Sequence, residues 1–68
     1  MYCYLGYFEK FDKFTNVRII AQGNKEDKVE LYKAVNALDI YYPKRYYYVI
    51  EARNKSEAME QLNRIVKD

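Results

Sequence analysis

Rings and cations alternate across residues 41–55, YYPKRYYYVIEARNK, where five tyrosines stand among Lys44, Arg45, Arg53 and Lys55 with Glu51 as the only acid. Two chemistries use such a pattern. Aromatic faces stack unpaired bases while nearby cations hold phosphates, as single-stranded nucleic-acid binders do. Tyrosine and arginine are also the residues that anchor protein interfaces, being large, rigid and tolerant of water at the polar end.

Other chemistries find little to work with. The chain has no histidine, so it has no imidazole base and no Ser-His or Cys-His pairing. Cys3 is the only cysteine and sits at the start of an apolar run, where a small buried side chain is the expected role. Glu26, Asp27 and Glu30 cluster, but acids in the first turn of a helix answer the helix dipole without any metal. Neither a phosphate-binding nor a dinucleotide-binding glycine pattern occurs. The expectation is a protein that is not an enzyme and takes no cofactor and no metal.

Sixty-eight residues make one small α+β domain. A chain of this length buries only about 60% of its unfolded surface, so its stability is marginal unless something adds to the core. One cysteine rules out an internal disulfide, which leaves self-association as the common remaining route. Half the residues are apolar and 32% are charged, the balance of a folded chain rather than a disordered one. A net charge of +2 is too small to argue for nucleic acid by itself. No run has the length and apolarity of a membrane span or a signal-peptide core, and the lone thiol fits the cytoplasm.

Hydrophobic periodicity supplies the elements. Residues 1–9, MYCYLGYFE, predict a strand with Cys3, Leu5 and Tyr7 on one face and Tyr2, Tyr4, Gly6 and Phe8 on the other. Both faces are apolar, which suits a central strand covered on each side. Gly6 marks a bulge or the close approach of another backbone. A polar turn follows at 10–16, where Phe11 and Phe14 are expected to fold back over the end of the core, the alternative being an exposed aromatic tip for a partner. Residues 17–22 predict the second strand. Asn24 then caps a helix running to about residue 39, with Leu31, Ala34, Val35 and Leu38 inward. Val29 and Ala37 fall outside that stripe. Tyr41, Tyr42 and Pro43 stop the helix.

Residues 46–52, YYYVIEA, are the best strand in the chain, rich in β-branched and aromatic residues. Asn54 caps the last helix, with Glu57 three residues on as in a capping box. Ala58, Met59, Leu62, Ile65 and Val66 form its apolar side. The order ββαβα predicts a two-layer α+β sandwich, a three-stranded sheet with strand one central and both helices on one face. Glu51 and the flanking arginines need water, so Tyr46, Tyr48, Ile50 and Ala52 are expected to face the helices.

That arrangement leaves an open outer face bearing Tyr4, Phe8, Arg18, Ile20, Tyr47 and Val49, with Tyr42, Lys44, Arg45 and Arg53 adding rings and charge at its margins. Together these ten are the expected partner-binding residues. The five apolar ones on the face could bury on the order of 500 Å², about 12 kcal/mol gross at about 25 cal/mol/Å². That is of the same size as the roughly 4 to 15 kcal/mol cost of association. The favoured expectation is a non-catalytic protein-interaction module, an inhibitor or adaptor of the kind mobile elements encode, with a protein partner and a homodimeric state. The alternative is single-stranded nucleic-acid binding by the same face.

Overall fold

A computed structural model describes residues 1–67. Strands β1 (Tyr2–Lys10) and β2 (Thr15–Asn24) form a hairpin, and a short 3-10 turn (Lys25–Asp27) leads into helix α1 (Lys28–Tyr41). Strand β3 (Tyr46–Ala52) and helix α2 (Lys55–Lys67) complete the chain. The sheet order is β2-β1-β3 with both pairings antiparallel, so the α+β class, the element order and the central position of β1 agree with the sequence.

Local chemistry sets the boundaries. The hairpin closes through the Phe11 amide, which donates to the Phe14 carbonyl at 2.9 Å. The Asp27 carboxylate accepts the Asn24 amide at 2.8 Å, ending β2 and starting the helical turns. At the other helix, Asn54 Oδ1 accepts the Glu57 amide at 2.8 Å and satisfies one of the orphan donors of the first turn. The Glu57 carboxylate does not reach back to the cap; it pairs with Arg53 Nε at 2.9 Å.

Register decides the faces. Tyr4 pairs with Ile50, Gly6 with Tyr48 and Phe8 with Tyr46, so these six residues share one side of the sheet. Helix α2 packs there, and Tyr4, Phe8, Ile50, Ala52, Ala58 and Leu62 form one core. Leu5 pairs with Val49 and Tyr7 with Tyr47 on the opposite side. Helix α1 covers that side, with Leu31 against Cys3 and Leu5 and with Ala34, Val35, Leu38, Tyr47 and Val49 around them. The two helices therefore lie on opposite faces, and the sandwich has three layers rather than two. The reason is the double apolarity of β1: Cys3 and Leu5 need cover as much as Tyr4 and Phe8 do, and each amphipathic helix supplies one cover.

Gly6 explains how α2 comes so close. The β1–β2 register shifts between Leu5, opposite Ala21, and Gly6, opposite Ile19, which leaves Ile20 as the extra residue of a bulge. A methyl group at Gly6 would lie 2.8 Å from Leu62 Cδ2 and 2.9 Å from the Arg18 carbonyl oxygen. The missing side chain is the space that Leu62 fills. Among the described residues, no helix is long and apolar enough to cross a membrane.

Candidate interaction surface

The hairpin tip, the start of β3 and the end of α1 meet at one end of the molecule, held together by Arg45. Its guanidinium lies between two rings, 4.4 Å from the Tyr7 centroid and 4.1 Å from the Tyr42 centroid. Arg45 Nε lies 3.4 Å from Glu9 Oε2, and Glu9 Oε1 accepts from Asn16 Nδ2 at 3.3 Å. The Tyr47 hydroxyl, foremost, and then Tyr7 and Glu9 raise the already high pKa of this guanidinium against the cost of its desolvation, so it stays charged. The Tyr47 contact is the looser hold, because neither Tyr47 Oη nor Arg45 Nε has a well-directed hydrogen bond among the described residues. The ion pair and the two stacked rings fix Arg45 in place. Beside it, Glu9, Tyr41, Tyr42, Pro43, Lys44 and Arg45 line an open cleft of about 270 Å³.

Around this rivet the surface is aromatic. Phe11 and Phe14 stack on each other at 4.7 Å and remain exposed at the hairpin tip, so they do not fold back over the core. The tip is too far along β1 for its rings to reach either helix-covered cluster. Tyr46 is exposed on its outer side and stacks on Phe8 at 4.9 Å. Lys10, Lys13 and Lys44 stand exposed beside these rings.

Helix α1 extends the apolar surface. At about 100° per residue, Val29 and Ile40 fall on the side opposite Leu31 and Leu38, with Tyr32 flanking them. All three are exposed, and Ile40 and the adjacent Tyr41 keep 79% and 76% of their accessible surface. Exposed Lys33 and Asn36 share that outward side, so its apolar residues sit on a mixed surface that the sheet does not cover.

The ten residues expected to form one face are dispersed by the fold. Tyr4 and Phe8, with 2% and 5% of their surface accessible, are core residues beneath α2 and cannot present a ring to a partner. Tyr47 and Val49 are half-buried beneath α1, with Tyr47 tilted against Tyr7 at 5.7 Å. Ile20 sits exposed at the bulge, and Arg18 is exposed on the same strand. Tyr42, Lys44 and Arg45 come together at the aromatic end, whereas Arg53 lies at the far end of the sheet, paired with Glu57. Neither side of the sheet is open: α2 covers the one bearing Tyr4 and Phe8, and α1 covers the one bearing Tyr47 and Val49.

The exposed residues that take the place of the expected open face are Val29, Tyr32, Ile40, Tyr41, Phe11, Phe14 and Tyr46. Their signal in the sequence was the imperfect stripe of α1, where Val29 falls outside the buried positions. On the opposite shoulder Lys28 pairs with Glu51 at 3.3 Å, and the hydrogen bond to that carboxylate, then its charge, raise the ammonium pKa. Against protein-family models, curated proteins and solved structures alike, the chain finds no match, so what this surface does is read from its own residues.

Proposed function

We propose that the protein is a non-catalytic protein-interaction module, an inhibitor or adaptor that engages another protein through the outward side of α1 and the adjoining aromatic end. The observation that supports this reading is the exposure of Val29, Tyr32, Ile40 and Tyr41 on a helix whose other side already fills its own core. Exposed large apolar side chains gathered on one element are a feature of interaction sites. Tyrosines among them provide anchors that lose little conformational entropy on binding.

A photo-crosslinking residue at position 41 tests the reading, with the same residue at exposed Asn63 of α2 as the control. A discrete protein adduct at position 41 that survives nuclease and is absent at position 63 supports it. Equal, diffuse labelling at both positions overturns it.

A second reading, single-stranded nucleic-acid binding, draws on one observation: Phe11, Phe14, Tyr42 and Tyr46 share an end with Lys10, Lys13, Lys44 and Arg45. Removing a stacking ring would then cost about 1 to 3 kcal/mol, and removing a phosphate-binding cation would reduce the salt slope by a little under one unit. The protein reading is preferred because Arg45 is already neutralised by Glu9 and the most exposed apolar residues, Ile40 and Tyr41, lie on α1. Sub-micromolar binding of a short single strand at about 150 mM salt, a condition that weakens purely electrostatic association, would reverse that preference.

A further inference from the structure

We infer that two copies of the chain pair through the outer edge of β3, antiparallel and centred on Tyr48, so that their sheets become one. The inference goes beyond the interaction-module reading: it concerns a different surface from the outward side of α1 and names a second copy as its occupant.

The two edges of the sheet differ. An edge strand exposes a row of unpaired amides and carbonyls, which natural proteins guard with bulges, charges, proline or brevity. The β2 edge is guarded: it carries the bulge at Ile20 and the exposed Arg18. The β3 edge is not. Its pairing with β1 runs without a shift from Ala52 to Tyr46, and YYYVIEA contains no proline, glycine or lysine. Tyr47, Tyr48 and Val49 are half-exposed, although their neighbours Tyr7, Gly6 and Leu5 on β1 are buried. Both strands lie under the same two helices, so the difference is the missing strand beyond β3.

Hydrogen bonding identifies the outward groups. The Gln61 side chain donates to the Glu51 carbonyl at 3.1 Å, which marks that carbonyl as pointing away from β1. Backbone groups alternate along a strand, so Tyr47 and Val49 also present theirs outward. Charge then selects the register. In antiparallel pairing about Tyr48, Tyr47 meets Val49 of the second copy, Tyr46 meets Ile50, and Arg45 meets Glu51 at both ends. Each of those charges holds an internal partner, Glu9 and Lys28, so the pairing builds a balanced four-charge row twice over. Pairing about Val49 would set Arg45 against Arg53, a like-charge contact. The segment Arg45-Tyr-Tyr-Tyr-Val-Ile-Glu51 is self-complementary only when read antiparallel, cation to anion.

Amide hydrogen exchange across a dilution series tests the pairing on the unaltered protein. The Tyr48 and Ile50 amides, bonded to β1, should be slow at every concentration. The Tyr47 and Val49 amides should become slow as light scattering reports doubling of mass. A covalent test follows in a Cys3→Ser background. Tyr48→Cys should oxidise to a linked dimer, because facing residues of a non-hydrogen-bonded pair lie about 4.5 Å apart, while Val49→Cys should not. Where these variants fail to fold, the exchange result on the native chain decides.

Open-chain exchange at Tyr47 and Val49 in a protein that scatters as a monomer overturns the inference. So does linkage at position 49 without linkage at 48. Ile40→Lys separates this inference from the interaction-module reading. It should abolish crosslinking from position 41 while the β3 pairing persists, and loss of the dimer in that variant would move self-association to α1.

Discussion

Gly6→Ala adds one methyl group at the point where α2 approaches the sheet, and its effect can be worked from the geometry. The new Cβ would lie 2.8 Å from Leu62 Cδ2, 2.9 Å from the Arg18 carbonyl oxygen and 2.9 Å from Ile19 Cδ1, where ordinary contact begins at 3.4 Å. The shortfall is therefore 0.5 to 0.6 Å against three neighbours at once. Leu62 has 0% of its surface accessible and is enclosed by Tyr4, Phe8 and Ile50, so it has little room to turn, and the Arg18 carbonyl belongs to the hairpin backbone. Overpacking of this kind costs about 1 to 3 kcal/mol. Replacing glycine recovers about 0.4 to 1 kcal/mol of unfolded-state entropy. The net loss should be about 1 to 2 kcal/mol, which for a domain of this size lowers Tm by roughly 4 to 16 °C.

Urea and thermal melts followed by circular dichroism read this directly. A double-mutant cycle gives the sharper result. Leu62→Ala alone should cost about 2 to 5 kcal/mol by opening a cavity. In the double variant the alanine methyl occupies part of that cavity, so the two losses should fall short of additivity by more than about 0.5 kcal/mol. Leu62→Val replaces alanine in the cycle if the cavity unfolds the chain. Strict additivity, or a Gly6→Ala protein as stable as the parent, would refute the placement of α2 over Gly6.

Asn54→Ala removes the cap on the Glu57 amide and should cost about 1 kcal/mol in denaturant melts, with Asn54→Ser restoring most of it. Ile40→Lys should leave stability within about 0.5 kcal/mol, since the side chain is exposed and a cation suits the end of a helix, while crosslinking from position 41 disappears. The raised pKa of Lys28 stabilises the folded state below the unfolded ammonium value of about 10.4, and that contribution is lost as pH rises through the folded value. The stability gap between the parent and Lys28→Met should thus stay level from about pH 6 to 9 and close above about pH 10. Taking the difference cancels the tyrosine ionisations common to both proteins.

Much of this protein is legible without coordinates. The run YYYVIEA could only be a strand, Asn54 with Glu57 announced the start of α2, and the double apolarity of β1 placed it at the centre. Gly6 signalled a close approach. These features depend on residues near each other in the chain, whose preferences act through local sterics and hydrogen bonds. What lies on which face does not. Side chains alternate with a period of two, so a one-residue change in pairing carries a whole set to the other side. Whether Tyr4 stands beside Ile50 or beside Val49 is invisible in either strand alone, and the wrong choice puts Tyr4 and Phe8 on a surface they never reach. Tertiary structure settles it: each side of β1 needs a cover, α1 takes the side carrying Cys3 and Leu5, and α2 reaches the other through the gap at Gly6. With a helix on each side of the sheet, the exposed apolar side chains are left on α1, at the hairpin tip and at the start of β3.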